Sequence, residues 1–511
     1  MTQLTDAINQ QINNHEHNHM IKDLNTGTWL TGAAVREQRD ALATNLRNAG
    51  VGAGDIVLIS LPNGPDNIIA LYATLALHAI AYTVNPAMPV PELATLLHRH
   101  HYGALILGPN HAEQSGELAQ LADVNLSIQV SDATATTPVF TVSSQAVATN
   151  DQLTAFQQHT ASPIGVLMYT SGTTGDPKAV VLTHDQLLAA TKDIAESQAL
   201  TPLDRTLVVL PLFHINAQVI SVLATTISGG KLIVAQKFSA HRFWSWVQDE
   251  RITWLSGAPA IIAILLKTRP AVRPQVAQLR FIRSASAPLL PNVQRDFEDY
   301  FHVPIVQGYG MTEAASQITV NPVDQPKVGS VGRPTGTDLV ILDEDDTPLA
   351  AGATGEIALH GEHVITSYLD PKYQSDFRHG WFHTGDVGYL DDDGYLFIVG
   401  RKKELINHGG DKISPAEIEN VLTQHPAINQ VAVVGLPDEI YGESVTAAVV
   451  LNPGFTGDTT LTGQLTQFAS ARLSRFKVPG QFVYVDSLAA GPTGKIQHTR
   501  VKNSLLATTA G

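Results

Sequence analysis

The sequence predicts an α/β chain. Two subdomains on parallel sheets come first, then a small β-rich subdomain, then a small α+β domain at the carboxyl end. Three observations carry this. Apolar runs of strand length alternate with helical patterns from residue 55 to residue 306, and such alternation implies parallel sheets with helices on their faces. Past residue 338 the pattern becomes short apolar runs with turn residues between them. Beyond the basic run Arg401-Lys402-Lys403 a separate unit begins. The expected division is therefore residues 1–402, a large region, and residues 403–511, a small domain.

The elements follow in order. Residues 55–61 are an apolar strand, Gly64-Pro65-Asp66 is a turn and helix start, and residues 67–77 are a buried helix. Residues 81–84 are the next strand. Residues 129–160, rich in Ser, Thr and Ala, read as a loose connection between two subdomains. Residues 206–212 are strand-like, 217–228 helical, and Gly229-Gly230 stops that helix. A strand at 231–235, a helix at 241–250 with Trp244 and Trp246, and a helix at 261–267 come next. A strand at 279–284, a helix at 291–301 and a strand at 303–306 close this part. Short strands at 340–342, 356–360 and 395–399 form the β-rich piece. The last unit has helices at 415–422 and 463–473 and strands at 431–434, 445–450 and 482–485. That is enough for a lid but not for a large core.

Composition narrows the function. The chain has 511 residues, 44% apolar and 15% charged, with a net charge of −15. That balance argues against wrapping nucleic acid or lying on an anionic membrane. Cysteine is absent, which removes disulfides, thiolate metal sites and a Cys nucleophile. Residues 1–20 are polar, with no apolar signal core. The stretch 68–80 is broken by Tyr72, Thr74 and His78 and is too short to span a bilayer. No peroxisomal tripeptide or lipidation box ends the chain. A cytoplasmic location is expected. His15, His17 and His19 cluster in what reads as a flexible arm.

One stretch organises the rest: Met168-Tyr169-Thr170-Ser171-Gly172-Thr173-Thr174-Gly175-Asp176-Pro177-Lys178. Apolar runs at 164–168 and 179–182 flank it, so it reads as two strands joined by a loop. Small residues let backbone N–H groups converge on an anion, and hydroxyls and an ammonium add donors. That suits a polyphosphate. The spacing is not that of a Walker A loop. Alone, the stretch reads equally well as a polar surface hairpin.

Four further motifs follow: Tyr309-Gly310-Met311-Thr312-Glu313, His383-Thr384-Gly385-Asp386, the run from Gly400-Arg401-Lys402-Lys403-Glu404 to Gly409-Gly410-Asp411-Lys412, and Pro492-Thr493-Gly494-Lys495-Ile496. Together they resemble the adenylate-forming superfamily: acyl-CoA synthetases, firefly luciferases and peptide-synthetase adenylation domains. The resemblance covers roughly residues 30–501.

It implies an ATP-dependent, AMP-forming acyl-CoA synthetase that uses ATP, Mg²⁺, CoA and a carboxylic acid, with no nucleic acid and no membrane insertion. Thr170, Ser171, Gly172, Thr173, Thr174, Gly175 and Lys178 would embrace the β- and γ-phosphates, with Thr170 among the catalytic groups. Gly308, Tyr309, Gly310, Met311 and Thr312 would line the nucleotide site, Tyr309 against adenine. Glu313 would be catalytic and a Mg²⁺ ligand. Asp386 would accept both ribose hydroxyls, and Arg401 would contact the ribose. Lys403 would be the hinge of a mobile small domain. Lys495, in that domain, would bridge the acid and the α-phosphate as a point charge. Gly409, Gly410 and Lys477 would serve CoA.

The resemblance is nearest to oxalate-activating CoA ligases of plants and fungi. It implies an acid pocket from His214, Ser284, Ser286, Ala287 and Ser316. Those ligases carry a histidine shortly after the Thr-Glu pair, where this chain has Ala314-Ala315-Ser316. Asn216-Ala217-Gln218 looks more like medium-chain or carnitine-type ligases. A small or dicarboxylic acid is expected, with a medium-chain acid or loading of a separate carrier protein as alternatives.

Overall fold

The computed structural model describes residues 2–122, 126–130, 140–144, 150–170, 177–409, 411–490 and 496–509. The chain divides into two compact units, Met1–Asp338 with Leu359–Phe382, and Leu339–Ala358 with His383–Gly511. Residue 402 lies inside the second unit.

The first unit carries two large sheets, as expected. Among the described residues one has nine strands, in the order Arg333–Pro334, Thr319–Val320, Ile305–Tyr309, Phe281–Ser284, Trp254–Gly257, Arg205–Val208, Lys231–Val234, His19–Asp23 and Trp29–Thr31. From Ile305–Tyr309 through His19–Asp23 every pairing is parallel. The other sheet has seven strands, in the order Leu126–Val130, Phe140–Ser144, Tyr102–Leu107, Ile56–Ser60, Ile80–Thr83, Ile164–Thr170 and Lys178–Thr183. Its centre is parallel and both margins are antiparallel.

Helices cover the faces because their apolar sides match. On Pro291–Phe301, Phe297 and Phe301 are buried and their rings lie 4.6 Å apart. Trp244, from the helix Ala240–Asp249, stacks on Phe301 at 4.4 Å. This aromatic layer packs on Ile282 and Ile305 of the central strands. Truncating such a ring to alanine costs about 3–5 kcal/mol, so the layer sets the position of the strands whose ends carry the site motifs.

Three expectations are corrected, and one motif falls on an element that no pattern had marked. The segment that carries His15, His17 and His19 is not a flexible arm: the helix Gln3–Asn14, capped by Thr2, precedes it, and His19–Asp23 enters the nine-stranded sheet. Apolar residues at Leu4, Ile8 and Ile12 bury one face of that helix. The stretch read as a loose connection contributes Leu126–Val130 and Phe140–Ser144 to a sheet, then the helix Asp151–Gln158. The helix expected at 217–228 is wound as a π-helix over Asn216–Leu223, followed by a short α-helical turn Ala224–Ile227. Such a run is rare and tends to mark functional sites. The motif His383-Thr384-Gly385-Asp386 lies within a ten-residue strand, Trp381–Leu390, for which the sequence shows no clean alternation.

The second unit contains Asp386 paired in register with Arg401, across from Trp381–Leu390 to Leu396–Arg401. It also holds a five-stranded sheet, among the described residues, built on Ile428–Asp438 and Gly442–Leu451. The helices Pro415–Leu422 and Thr459–Ser470 bury Ile418, Leu422 and Leu465 against it. No helix among the described residues is long and apolar enough to cross a membrane.

One buried histidine makes the first unit acid-sensitive. His184 opens the helix His184–Ser197 and is fully buried. Its Nδ1 lies 2.8 Å from the Thr2 hydroxyl. Burial lowers its pKa to about 4. The unfolded chain takes up this proton below about pH 6.5, while the folded chain resists it until about pH 4. Stability is therefore complete above that upper value and is lost as pH falls through the window. Between pH 7.5 and 5.0 the wild type is expected to lose about 1–2 kcal/mol more unfolding free energy than His184→Asn. Urea titrations at both pH values measure this, and equal losses would refute it.

Candidate active site

The organising loop hangs from a hairpin. Ile164–Thr170 and Lys178–Thr183 pair antiparallel, with Thr170 opposite Lys178. Ser171, Gly172, Thr173, Thr174 and Gly175 lie outside the described residues. The two ends that hold them are well defined. The Lys178 ammonium pairs with Asp376. It also lies 4.6 Å from the ring centre of Tyr368 and 4.7 Å from that of Tyr373, within range of cation–π attraction.

The second motif follows the strand Ile305–Tyr309. Gly308 and Tyr309 pair antiparallel with Val320 and Thr319, and the chain then reverses through the turn Thr312–Ala314. Ala315 and Ser316 take left-handed φ values of 45° and 92°, a conformation that costs a non-glycine residue of order 1–3 kcal/mol. The reversal folds the backbone onto itself. A Cβ on Gly310 would lie 1.6 Å from the Ser316 carbonyl oxygen, so this position admits glycine alone. Ser316 is buried in the turn.

The turn aims Glu313 inward. Its side chain is buried, and the Tyr368 hydroxyl donates to its Oε1 at 2.9 Å. The Ile365 amide donates to its carbonyl at 2.9 Å. The turn packs against the strand that begins at Lys178. Tyr368 thus joins the loop's lysine, through its ring, to the carboxylate, through its hydroxyl. A carboxylate beside a bound polyphosphate would repel it unless a cation lay between them. One carboxylate completed by phosphate and water oxygens is an ordinary Mg²⁺ environment, so the donor chemistry fits that ion.

Of the residues expected to line an acid pocket, His214 follows the strand Arg205–Val208, and Ser284 and Ser286 lie at the carboxyl end of Phe281–Ser284 in the same parallel sheet. Ser256 donates to Asn216 Oδ1 at 2.9 Å, and Asn216 Nδ2 donates to Ser286 Oγ at 3.3 Å. Ser286 has φ of 76°, and both it and Ala287 are exposed, whereas Ser284 is buried. The His214 ring lies tilted against Phe213 with ring centres 4.4 Å apart. Burial holds its imidazole below the ordinary histidine range, so at neutral pH the ring is uncharged. On the same sheet Arg283 is fully buried.

In the second unit Asp386 is buried and takes the Arg401 guanidinium, Nε to Oδ1, at 2.8 Å. Arg401 also donates to the Thr384 carbonyl at 3.2 Å. Lys402 pairs with Glu356 at 2.7 Å, while Lys403 is exposed in a turn. Gly409 has φ of 62°, and its amide donates to the Tyr441 carbonyl at 2.8 Å. Lys477 holds both oxygens of Glu417 at 2.7 Å. Gly410 and Lys495 lie outside the described residues.

Sequence reasoning missed Tyr368, Asn216 and Arg283 as site residues. Tyr368 belongs to no motif and is brought to Glu313 only by the fold. Arg283 did leave a signal, because it is a lone charge inside the apolar strand Phe-Ile-Arg-Ser.

Comparison with known proteins matches two family descriptions. Residues 8–369 match "AMP-binding enzyme" and residues 417–495 match "AMP-binding enzyme C-terminal domain". The chain is 35% identical over 483 residues to a sulfoacetate–CoA ligase of Cupriavidus necator, covering 94% of this chain and 93% of that protein. It is 34% identical over 491 residues to an oxalate–CoA ligase of Arabidopsis thaliana, covering 93% and 94%. Among solved structures, ATP-bound MatB from Rhodopseudomonas palustris superposes with a TM-score of 0.83 at 25% identity, covering 98% of each chain.

The Tyr368–Glu313 bond is testable by itself. A hydrogen bond to a charged group contributes about 1.5–3 kcal/mol. Tyr368→Phe is expected to lower unfolding free energy by about that amount, and to lower it by clearly less on a Glu313→Gln background. A double-mutant cycle by urea denaturation measures the coupling, and additive losses would show that the two side chains act independently.

Proposed function

The chain belongs to the AMP-binding enzyme family, and from that premise we propose that it is an ATP-dependent, AMP-forming acyl-CoA synthetase acting on a small carboxylic acid. The observation that carries the reading is Glu313, fixed by Tyr368 next to the lysine end of the Ser/Thr/Gly loop. An acidic oxygen and a cation held at one loop suit a magnesium–polyphosphate site. The extent of the family match and the CoA-ligase relatives support the thiol acceptor.

The first step makes an acyl-adenylate. A carboxylate oxygen of the acid attacks the α-phosphorus of ATP, and the bond to the β-phosphate oxygen breaks. Pyrophosphate leaves with both bonding electrons. Lys178 and the loop donors of Thr170, Ser171, Gly172, Thr173, Thr174 and Gly175 hold the β- and γ-phosphates. Thr312 donates near the α-phosphate. Glu313 would hold Mg²⁺, which would supply positive charge against the phosphates. Tyr309 and the glycines beside it receive the base, and Asp386 accepts from the ribose with Arg401 beside it. Lys495 bridges the two anions that must meet. Each role places fixed charge where charge builds in the transition state.

In the second step the CoA thiol attacks the acyl carbon, the bond to the phosphate oxygen breaks, and AMP departs. The thiol proton passes to solvent. No side-chain nucleophile is needed, so a chain without cysteine can do this chemistry. Positioning carries the rate. Gly409, Gly410 and Lys477 serve CoA. Residues 403–511 move as one domain about Lys403, because Lys495 and the Gly409-Gly410 loop act in different steps.

The acid is small and polar. His214, Ser284, Ser286 and Ser316 offer polar groups where an alkyl chain wants a dry wall, and Ala287 adds only a methyl. A buried hydroxyl or amide left unpaired costs about 1–3 kcal/mol. Oxalate and sulfoacetate, named for the relatives, are the first acids to try.

Lys495→Ala is expected to lose adenylation at least a hundredfold while keeping thioester formation from supplied acyl-adenylate within about threefold. Pyrophosphate release and CoA-thioester formation are measured separately. Equal losses in both half-reactions would reject the division of labour between Lys495 and the CoA-facing loop.

A further inference from the structure

Arg283 is a permanent cation with no counter-charge among the described residues. It is fully buried, and none of its three guanidinium nitrogens has a hydrogen-bond partner among the described residues. No carboxylate among them lies within ion-pair distance. A guanidinium does not shed its proton in proteins, so burial cannot be relieved by neutralisation. A buried charge is stable only when paired or hydrogen-bonded. The fold therefore maintains a cation whose partner comes from outside this set of residues.

The direction of the side chain says where that partner binds. Arg283 is in register with Ser256 on one side and with Val306 on the other. Its guanidinium does not stay at that level. Nη2 lies 2.8 Å from where a Cβ of Gly308 would be, and Gly308 is two residues beyond Val306. At about 3.3 Å per residue the charge is carried about 6–7 Å toward the carboxyl end of the sheet, where open parallel sheets bind ligands. Gly308 leaves the space it occupies. Ser256, the register neighbour on the other side, orients Asn216, which in turn holds Ser286. The cation thus lies between the Asn216–Ser286 wall of the acid pocket and the turn that carries Glu313. His214, the other basic group of that wall, is neutral there.

We infer that Arg283 is the receptor for a second anionic group, carboxylate or sulfonate, on the acid substrate, and so selects small dianionic acids over monocarboxylates. The inference rests on the proposed activation of a carboxylic acid by this chain. A guanidinium fork takes two oxygens of one oxyanion, while the first carboxylate stays free for the α-phosphorus. A monocarboxylate leaves the buried cation unpaired and a long alkyl chain lays methylenes against it. The same residue missing its partner penalises both.

The test uses the full chain and compares wild type, Arg283→Met and Arg283→Lys. Pyrophosphate release is followed with oxalate, malonate and sulfoacetate, and with acetate, butyrate and hexanoate, under saturating ATP and CoA. Wild type is expected to prefer its best dianion at least a hundredfold in kcat/KM. Arg283→Met is expected to collapse that preference at least a hundredfold, mainly through KM for the dianion and with KM for ATP unchanged, and Arg283→Lys to fall between. A wild-type preference for a monocarboxylate overturns the inference and leaves the CoA-ligase reading standing. So does an equal loss on both classes, which marks a structural arginine, or a selective rise in KM for ATP, which marks a phosphate contact. If no acid releases pyrophosphate, the CoA-ligase reading fails. Thermal shift then decides for Arg283: a dianion must raise Tm of wild type by several degrees and not that of Arg283→Met, and no shift refutes it. Should Arg283→Met not fold, Gly308→Ala, whose Cβ displaces the guanidinium, must lower the same dianion-to-monoanion ratio.

Discussion

Parallel pairing is the constraint on which the rest depends. When neighbouring strands run the same way, every segment that follows them emerges on one edge. Here Arg205–Val208, Trp254–Gly257, Phe281–Ser284 and Ile305–Tyr309 are parallel neighbours. The segments after them carry His214, the Ser284–Ser286 pair and the Tyr309–Glu313 motif. No side chain needs to travel far to join this site. The aromatic layer of Trp244, Phe297 and Phe301 on one face keeps the strands in place, so packing far from the chemistry sets its geometry.

What that edge holds is fixed by close contacts rather than by long reaches. Gly310 lets the backbone turn back onto Ser316, and two residues in left-handed conformation complete the reversal. The strain is offset by the bonds that hold the product of the turn, Glu313, at both its carboxylate and its carbonyl. Tyr368 has two uses at once. Its ring faces the Lys178 ammonium and its hydroxyl meets Glu313, so a cation and an anion of the site share one rigid support. Phenylalanine would keep the first contact and lose the second.

Charge is distributed unevenly between buried groups. In the second unit Asp386 and Arg401 satisfy each other across paired strands. In the first, Lys178 has Asp376. Arg283 has neither. Two paired ions need no ligand to be stable where they are, whereas an unpaired guanidinium enclosed by protein favours any oxyanion that reaches it.

Much of this protein is legible in its amino-acid sequence. Alternating apolar periods point to parallel sheets because period 2 and period 3.6 patterns are local properties of the chain. The helix at 291–301 and the one at 415–422 fall where the sequence places them, bounded by Pro at their starts. The motifs Thr170–Lys178, Tyr309–Glu313 and His383–Asp386 are contiguous, so their residue types can be read together. Other features require the fold. The amino-terminal helix reads as a polar arm because its apolar face has only Leu4, Ile8 and Ile12, too little to show until its partner surface exists. The π-helical winding of Asn216–Leu223 depends on packing, not on composition. Tyr368 lies 55 residues from Glu313, and Arg283 reaches Gly308 from a neighbouring strand. Sequence alone determined which chemical groups were present and the local structure they preferred. Only tertiary structure decided which of them met and which buried charge has no partner among the described residues, because contacts between distant residues follow strand order and register, which no local pattern encodes.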